Sequence, residues 1–334
     1  MPTLSKSLLC LGLLTAGGFA AWCGNAPAVV GTIATPKALD REPVKPIPLT
    51  VNLDARKVAL GRDLFNEPKL SRDGSVSCAT CHNLQTGGDD GRALPVGIGG
   101  KKGTINAPTV FNSGASFKQF WDGRANNLEE QVNGPVLAQH EMGTTWEEVV
   151  RKLQATPQYA SAFAVIYRDG VQAANIRNAL AEFERSLITP NSRFDRFLRG
   201  DDTALVASEK EGYRKFKSYG CTSCHQGVNL GGNMFETLGA MADYFADRGD
   251  ITPADLGRFN TTGREEDRYV FKVPTLRNIA LTAPYLHDGS APTLEAAVKV
   301  MVRYQLGRDL PPEDLAQIVE FLKTLTGEYG GKPL

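Results

Sequence analysis

Two five-residue stretches carry the redox potential of this chain: Cys78-Ala79-Thr80-Cys81-His82 and Cys221-Thr222-Ser223-Cys224-His225. Each reads C-x-x-C-H, the attachment signature of a c-type haem. Two thiols one helical turn apart can each form a thioether with a vinyl group of one porphyrin. The adjacent imidazole then reaches the iron from below the ring. A zinc site would need two more ligands nearby, and neither motif has them. A thioredoxin-type pair would need a βαβ setting, which the sequence does not offer. Two copies with histidine in the same place predict two covalent haems, one on Cys78, Cys81 and His82 and the other on Cys221, Cys224 and His225.

Composition narrows the setting. The 334 residues suffice for two domains of ordinary size, and 37 basic residues balance 37 acidic ones. A formal net charge of zero gives no electrostatic case for nucleic acid as a partner. Four of the six cysteines belong to the haem motifs, and Cys10 and Cys23 lie near the start, so no disulfide framework is predicted. Lys6 followed by an apolar run from Leu8 to Ala21 is too short for a comfortable membrane span and suits a secretory leader. Ala26-Pro27-Ala28 offers a small-x-small cleavage site, so residues 1–28 are read as a signal peptide. Cys23 comes directly after Trp22, a poor residue before a lipidated cysteine. The predicted location is the periplasm, with an uncleaved anchor as the less favoured alternative.

The elements that must hold the motifs read as helices. Residues 29–48 are Pro-rich and predict a linker on the surface. A helix is expected from Asp54, and another opens near Leu128 and breaks at Gly134-Pro135. Thr145 caps a helix from Trp146 to about Gln154, with Glu147 and Glu148 at its positive end. Gln172 to Leu187 is amphipathic, with Ile176, Leu180, Phe183 and Leu187 on one face. Ser208 is expected to cap a helix leading into the second motif. Leu294–Val302 and Pro312–Leu325 complete the set, the latter capped by Gly327. Between Thr86 and Gly103 a glycine-rich loop reads as a surface excursion or as a mobile flap over the first haem. Strands are nearly absent. The predicted fold is all-α: two cytochrome c-like domains from an internal duplication, 49–189 and 190–334, each with one haem.

The stretches CATCH, NAPTVFN, FWDGR, HEMG, CTSCHQGVNLGG, FKVPTLRN and HDGSAPTLEAAVKVM resemble bacterial dihaem cytochrome c peroxidases over nearly the whole mature chain. The protein-oxidising branch typified by MauG shares several of them. The resemblance implies reduction of hydrogen peroxide to water at the haem of His82. It further implies electrons from a cytochrome c or a small copper protein, entering near the haem of His225.

A haem held by His and Met is closed to substrate and raised in potential, whereas peroxide needs an open position. Met301 matches the family's ligand for the second haem, where MauG-like enzymes carry tyrosine. Met234 and Met241 are better read as core, and Met142 is the rival ligand that would close the first haem and leave a mere electron carrier. The resemblance makes Glu141 the group that moves the proton in peroxide cleavage, with Gln131 beside it to orient peroxide. It places Trp121 between the haems and makes Asn106, with the carbonyls of Thr282 and Pro284, a calcium site. It also implies a homodimer. Read from the residues alone, Glu141 is a solvated loop glutamate and Trp121 a core residue. His287 is expected to be a hydrogen-bonded structural residue. In many family members a histidine from the loop after the first motif blocks the peroxide site, but here no histidine lies between His82 and His140. His140 adjoins Glu141, and in an extended loop the two would face opposite ways.

Overall fold

Asp54 is extended, and its carboxylate accepts the N–H of Arg56, which starts helix α1 (Ala55–Phe65) where the sequence places it. The structure, a computed structural model, describes residues 42–334. The predicted leader and cleavage site, and residues 29–41 of the predicted linker, lie outside the described residues. Beyond α1 the chain is mostly helical: α2 (Cys78–Cys81), α3 (Leu128–Gln131), α4 (Asn133–Leu137), α5 (Trp146–Gln154), α6 (Pro157–Ile166), α7 (Ala173–Ser186) and α8 (Arg193–Leu198). Then come α9 (Ala207–Ser218), α10 (Tyr244–Arg248), α11 (Phe259–Thr262), α12 (Leu294–Leu306) and α13 (Pro312–Lys323). Among the described residues, strands form only two short antiparallel pairs, β1 (Phe235–Thr237) with β2 (Val270–Lys272) and β3 (Glu328–Tyr329) with β4 (Lys332–Pro333).

Several boundaries differ from expectation for local reasons. The helix opening at Leu128 stops at Val132, and Gly134-Pro135 lies inside α4, where proline in the first turn loses no intrahelical bond. Ser208 does not cap α9; the Glu209 carboxylate accepts the N–H of Val206 instead. Helix α13 ends at Thr324, and the N–H of Gly327 goes to the side chain of Asn278. The stretch at 42–48 is not a surface linker: Val44 and Ile47 are buried.

The same local geometry occurs twice along the chain. Helix α1 crosses α7 at Gly61, and α9 crosses α13 at Gly212. A Cβ on either glycine would sit 1.9 Å from a backbone oxygen, that of Ala179 or of Gln317. Asn112 and Asn278, at the ends of NAPTVFN and KVPTLRN, both adopt φ 59°. Both side chains donate to the hydroxyl of Thr189, at 2.8 and 3.0 Å. The bridge Gln119–Ala125 is matched by Tyr285–Ala291. One apolar cluster takes its buried residues from Leu60 to Leu187, a second from Phe194 to Leu325 together with Val44. A small third cluster joins Tyr244, Phe245, Phe271 and Tyr304.

Gly61→Ala tests the helix crossing. Alanine is the better helix former by about 1 kcal/mol, yet here its methyl meets backbone that cannot rotate away. We expect a net loss of about 1–3 kcal/mol in chemical denaturation. Unchanged or raised stability would show that the crossing yields easily.

Candidate active site

Both motif histidines are placed by the same device. The N-cap Ser77 and Thr80 exchange hydrogen bonds to start α2, which ends at His82. The ring of His82 then turns its Nδ1 to the carbonyl of Gly88, 3.1 Å away. After the second motif, the Nδ1 of His225 meets the carbonyl of Leu230 at 3.0 Å. A carbonyl can only accept, so each Nδ1 carries the proton and each Nε2 keeps its lone pair. Burial lowers the pKa of both imidazoles and keeps them neutral, the form a metal binds. Burial also pushes Cys78 up to about 12 and Cys81 and Cys221 to about 11, and raises Cys224. Protonated thiols of this kind lack the thiolate that disulfide exchange needs.

Glu141 lies on the turn after α4. It lines a cavity of about 260 Å³ with Trp121, Arg124, His140 and, from far along the chain, Ala254 and Phe271. Its side chain is 38% exposed; the partial burial raises its carboxyl above the usual carboxylate range, while His140 and Arg124 pull it partly back. The backbone at 139–142 is a turn, not an extended loop. His140 Nε2 is therefore 3.6 Å from the Glu141 carboxylate, and both side chains line the same cavity. That corrects the expectation that they face opposite ways.

The glycine-rich loop is tied down. Gly97 N–H meets the carbonyl of Lys101, and Gly103 N–H that of Pro95. Ile98 is buried in the first apolar cluster and donates its N–H to the carbonyl of Glu141 at 2.9 Å. Lys101 reaches the carbonyl of Gln139. Gly97 is required at this contact, because a Cβ there would lie 2.2 Å from the carbonyl oxygen of His140. The loop is thus a clamp on the Glu141 turn. Met142 is buried in the same cluster.

Trp121 donates its indole N–H to the carbonyl of Asn106 at 3.0 Å, and Asn106 donates its own N–H to the carbonyl of His287 at 2.8 Å. The Trp121 and His287 rings are 6.4 Å apart, edge to face. His287 is buried and meets the Asp255 carboxylate at 2.6 Å, and Arg248 grips that carboxylate with both terminal nitrogens. Asn106 gives its amide N–H to the carbonyls of Arg92 and Ala93. Gln131 sits half-buried at the end of α3 and is not among the residues lining the cavity. Met301 is half-buried on α12, while Met241 is exposed. Sequence reasoning missed Arg124 and the wall at 253–260. The first is visible in FWDGR; the second carries no signal, because only tertiary packing brings it here.

The sequence pattern described as di-haem cytochrome c peroxidase matches residues 55–203. A cytochrome c551 peroxidase of Nitrosomonas europaea is 43% identical over 327 residues, 98% of this chain and 92% of that protein. The chain belongs to the dihaem cytochrome c peroxidase family. The cytochrome c peroxidase Ccp of Escherichia coli is 52% identical over 289 residues, 86% of this chain; the match spans 62% of that longer protein. A crystal structure of a MauG-like protein associated with microbial copper homeostasis superposes with a TM-score of 0.74 at 29% identity, covering 89% of this chain and 95% of that one.

Gly97→Ala tests the clamp. The methyl should push the loop off the Glu141 turn and lower peroxide turnover by up to about 10²-fold, with the two motifs and their haem content intact. Unchanged turnover would show that the clamp has no part in placing Glu141.

Proposed function

We propose that the chain reduces hydrogen peroxide to two waters at the cavity around Glu141, taking up two electrons and two protons per turnover. The observation that carries this reading is a carboxyl of raised pKa facing the same cavity as Trp121 and Arg124. His82 and His225, neutral and tethered through Nδ1, suit an axial role, and the paired thiols suit thioether attachment. Bound haem supplies peroxide binding at the first motif and electron storage at the second. Met301 would hold the iron of the second haem together with His225, and its identity, methionine and not tyrosine, favours peroxidase over MauG-like oxidation of a protein side chain. Glu141 takes the proton from the inner peroxide oxygen and returns it to the outer one. The Arg124 guanidinium offsets negative charge that builds up in the cavity, and Gln131 orients peroxide. Trp121 lies on the electron route between the two sites.

The wider setting rests on the same reading. Each motif marks one cytochrome c-like domain, with the junction at Thr189. Asn106 spends its amide N–H groups on carbonyls, which leaves its oxygen free of donors among the described residues. The carbonyls of Thr282 and Pro284 likewise receive no backbone N–H among the described residues. These three oxygens are the ligands proposed for a calcium ion. The donor is a small periplasmic cytochrome c or copper protein, and the enzyme works as a homodimer. No helix among the described residues is long and apolar enough to cross a membrane.

Glu141→Gln should retain both haems and their visible spectrum and lose about 10²–10⁴-fold in turnover. In the parent enzyme the active form is the carboxylate. Activity should therefore hold above the raised Glu141 pKa and fall as pH drops through it, and this limb should vanish in the variant. A variant with parent-like turnover and pH profile removes Glu141 from the mechanism.

The clamp also bears on activation. The loop closes over Glu141 through Ile98 and brings no imidazole with it. The diferric enzyme should show a high-spin signal in electron paramagnetic resonance and turn over without a lag. Two low-spin signals, with a lag removed by reductant, would refute this. Loss of one such signal in His140→Ala would then name His140 as the block.

A further inference from the structure

The loop after the second motif is held from outside its own half-chain. Gly227 N–H bonds the carbonyl of Pro43 at 2.9 Å, and Lys45 N–H returns to the carbonyl of Gly227 at 3.2 Å. Residues 42–48 thus lie along this loop as a short strap. Arg277, 1% exposed, locks the arrangement. Its Nε donates to the carbonyl of Val228 at 2.9 Å, one terminal nitrogen to that of Lys45 at 2.9 Å, and the other to Asp195 at 2.8 Å. The same Asp195 oxygen accepts the N–H of Ile47, and its second oxygen has no partner. Arg199 adds a bond to the carbonyl of Ile47.

The internal repeat shows that this is not demanded by the fold. Asn106-Ala107-Pro108-Thr109-Val110-Phe111-Asn112 corresponds to Lys272-Val273-Pro274-Thr275-Leu276-Arg277-Asn278. Thr109 and Thr275 do the same job: each hydroxyl donates to a carbonyl of its own motif's loop, Gly87 or Asn229. The asparagines share φ and partner. Just before the asparagine the first half buries Phe111, packed edge-to-face on Tyr329, and the second buries Arg277. A guanidinium is far more expensive to bury than a phenyl ring. Here it spans three pieces of chain: the proximal loop, α8 and the strap.

We propose that the strap and Arg277 are positioning elements of the second haem site. They fix the loop 227–230 so that the carbonyl of Leu230 stays on Nδ1 of His225 and sets the donor strength of the axial imidazole. This rests on the reading of His225 as an iron ligand. A hydrogen bond to Nδ1 makes imidazole a stronger donor and favours ferric iron. Loosening the loop therefore weakens the bond and raises the second haem's potential, while the first haem, whose loop has neither strap nor arginine, is unaffected.

The test is a redox titration of the full-length dihaem protein, with both haems first confirmed by mass. Arg277→Met combined with Asp195→Asn removes the clamp without leaving a lone buried charge. Lys45→Pro removes the Lys45 N–H from the strap, with Lys45→Ala as the control for loss of the side chain, and guards against a folding failure of the double variant. The expected result is an upward shift of the second haem's midpoint potential in both, larger in the double variant, with the first potential unmoved. Arg277→Lys with native Asp195 keeps the charge and should recover part of the shift. An unmoved or lowered second potential in folded variants overturns the proposal. Failure of the underlying reading looks different: His225→Ala would then leave the second haem's low-spin spectrum intact.

Discussion

The axial role proposed for His82 and His225 is useful only if their rings cannot turn, and that constraint organises much of this chain. On the proposed reading the cysteines would fix a porphyrin edge but leave the histidine side chain its own torsions. Two carbonyls, Gly88 and Leu230, remove that freedom by taking Nδ1–H. A carbonyl aimed inward must be held by its own backbone. In the first half Gly88 also accepts Val110 N–H, and Thr109 ties Gly87. In the second half Thr275 ties Asn229, and Arg277 ties Val228. The segments NAPTVFN and KVPTLRN are thus supports for the histidine loops, and their left-handed asparagines anchor both supports to Thr189. One hydroxyl serves as common anchor for two sites far apart in sequence.

How much of this is legible in the sequence depends on the range of the interaction. The motifs, the capped helices α1 and α5 and the buried face of α7 are set by neighbours within a few residues, and the sequence announces them. The strap misleads because its composition, rich in proline, is that of a linker. Its burial comes from a loop about 180 residues away and leaves no periodicity behind. The glycine-rich loop misleads for a related reason. Glycine signals backbone freedom, but here Gly97 is needed because the His140 carbonyl comes too close for any Cβ. The same residue type serves mobility or tight contact, and only the partner decides which. Asp255 and Arg248, which hold His287, carry no motif at all.

The repeat also gives Trp121 and His287 a common origin in the fold. Phe120-Trp121-Asp122-Gly123 and Leu286-His287-Asp288-Gly289 sit at equivalent bridges, and Phe120 and Leu286 share a left-handed φ of 71° and 72°. The second member of each tetrad points to the same place, where the two rings meet at 6.4 Å. The Trp121 indole and the His287 backbone are coupled through the Asn106 backbone, which accepts from the indole and donates to the His287 carbonyl. A shift of either half-chain at this contact must therefore move the indole, the histidine or the bonds between them.

Pinning falls unequally on the two rings. His287 is fixed by Asp255, which is ionised and gripped by Arg248 and by the N–H and hydroxyl of Thr252. The Trp121 ring has one hydrogen bond, its N–H to the carbonyl of Asn106, and is otherwise held by packing against Phe271 and His287. A directional hydrogen bond to a carboxylate resists rotation, whereas an edge-to-face contact tolerates small tilts at little cost. The indole is thus the softer partner, and it is the one that opens on the cavity of Glu141.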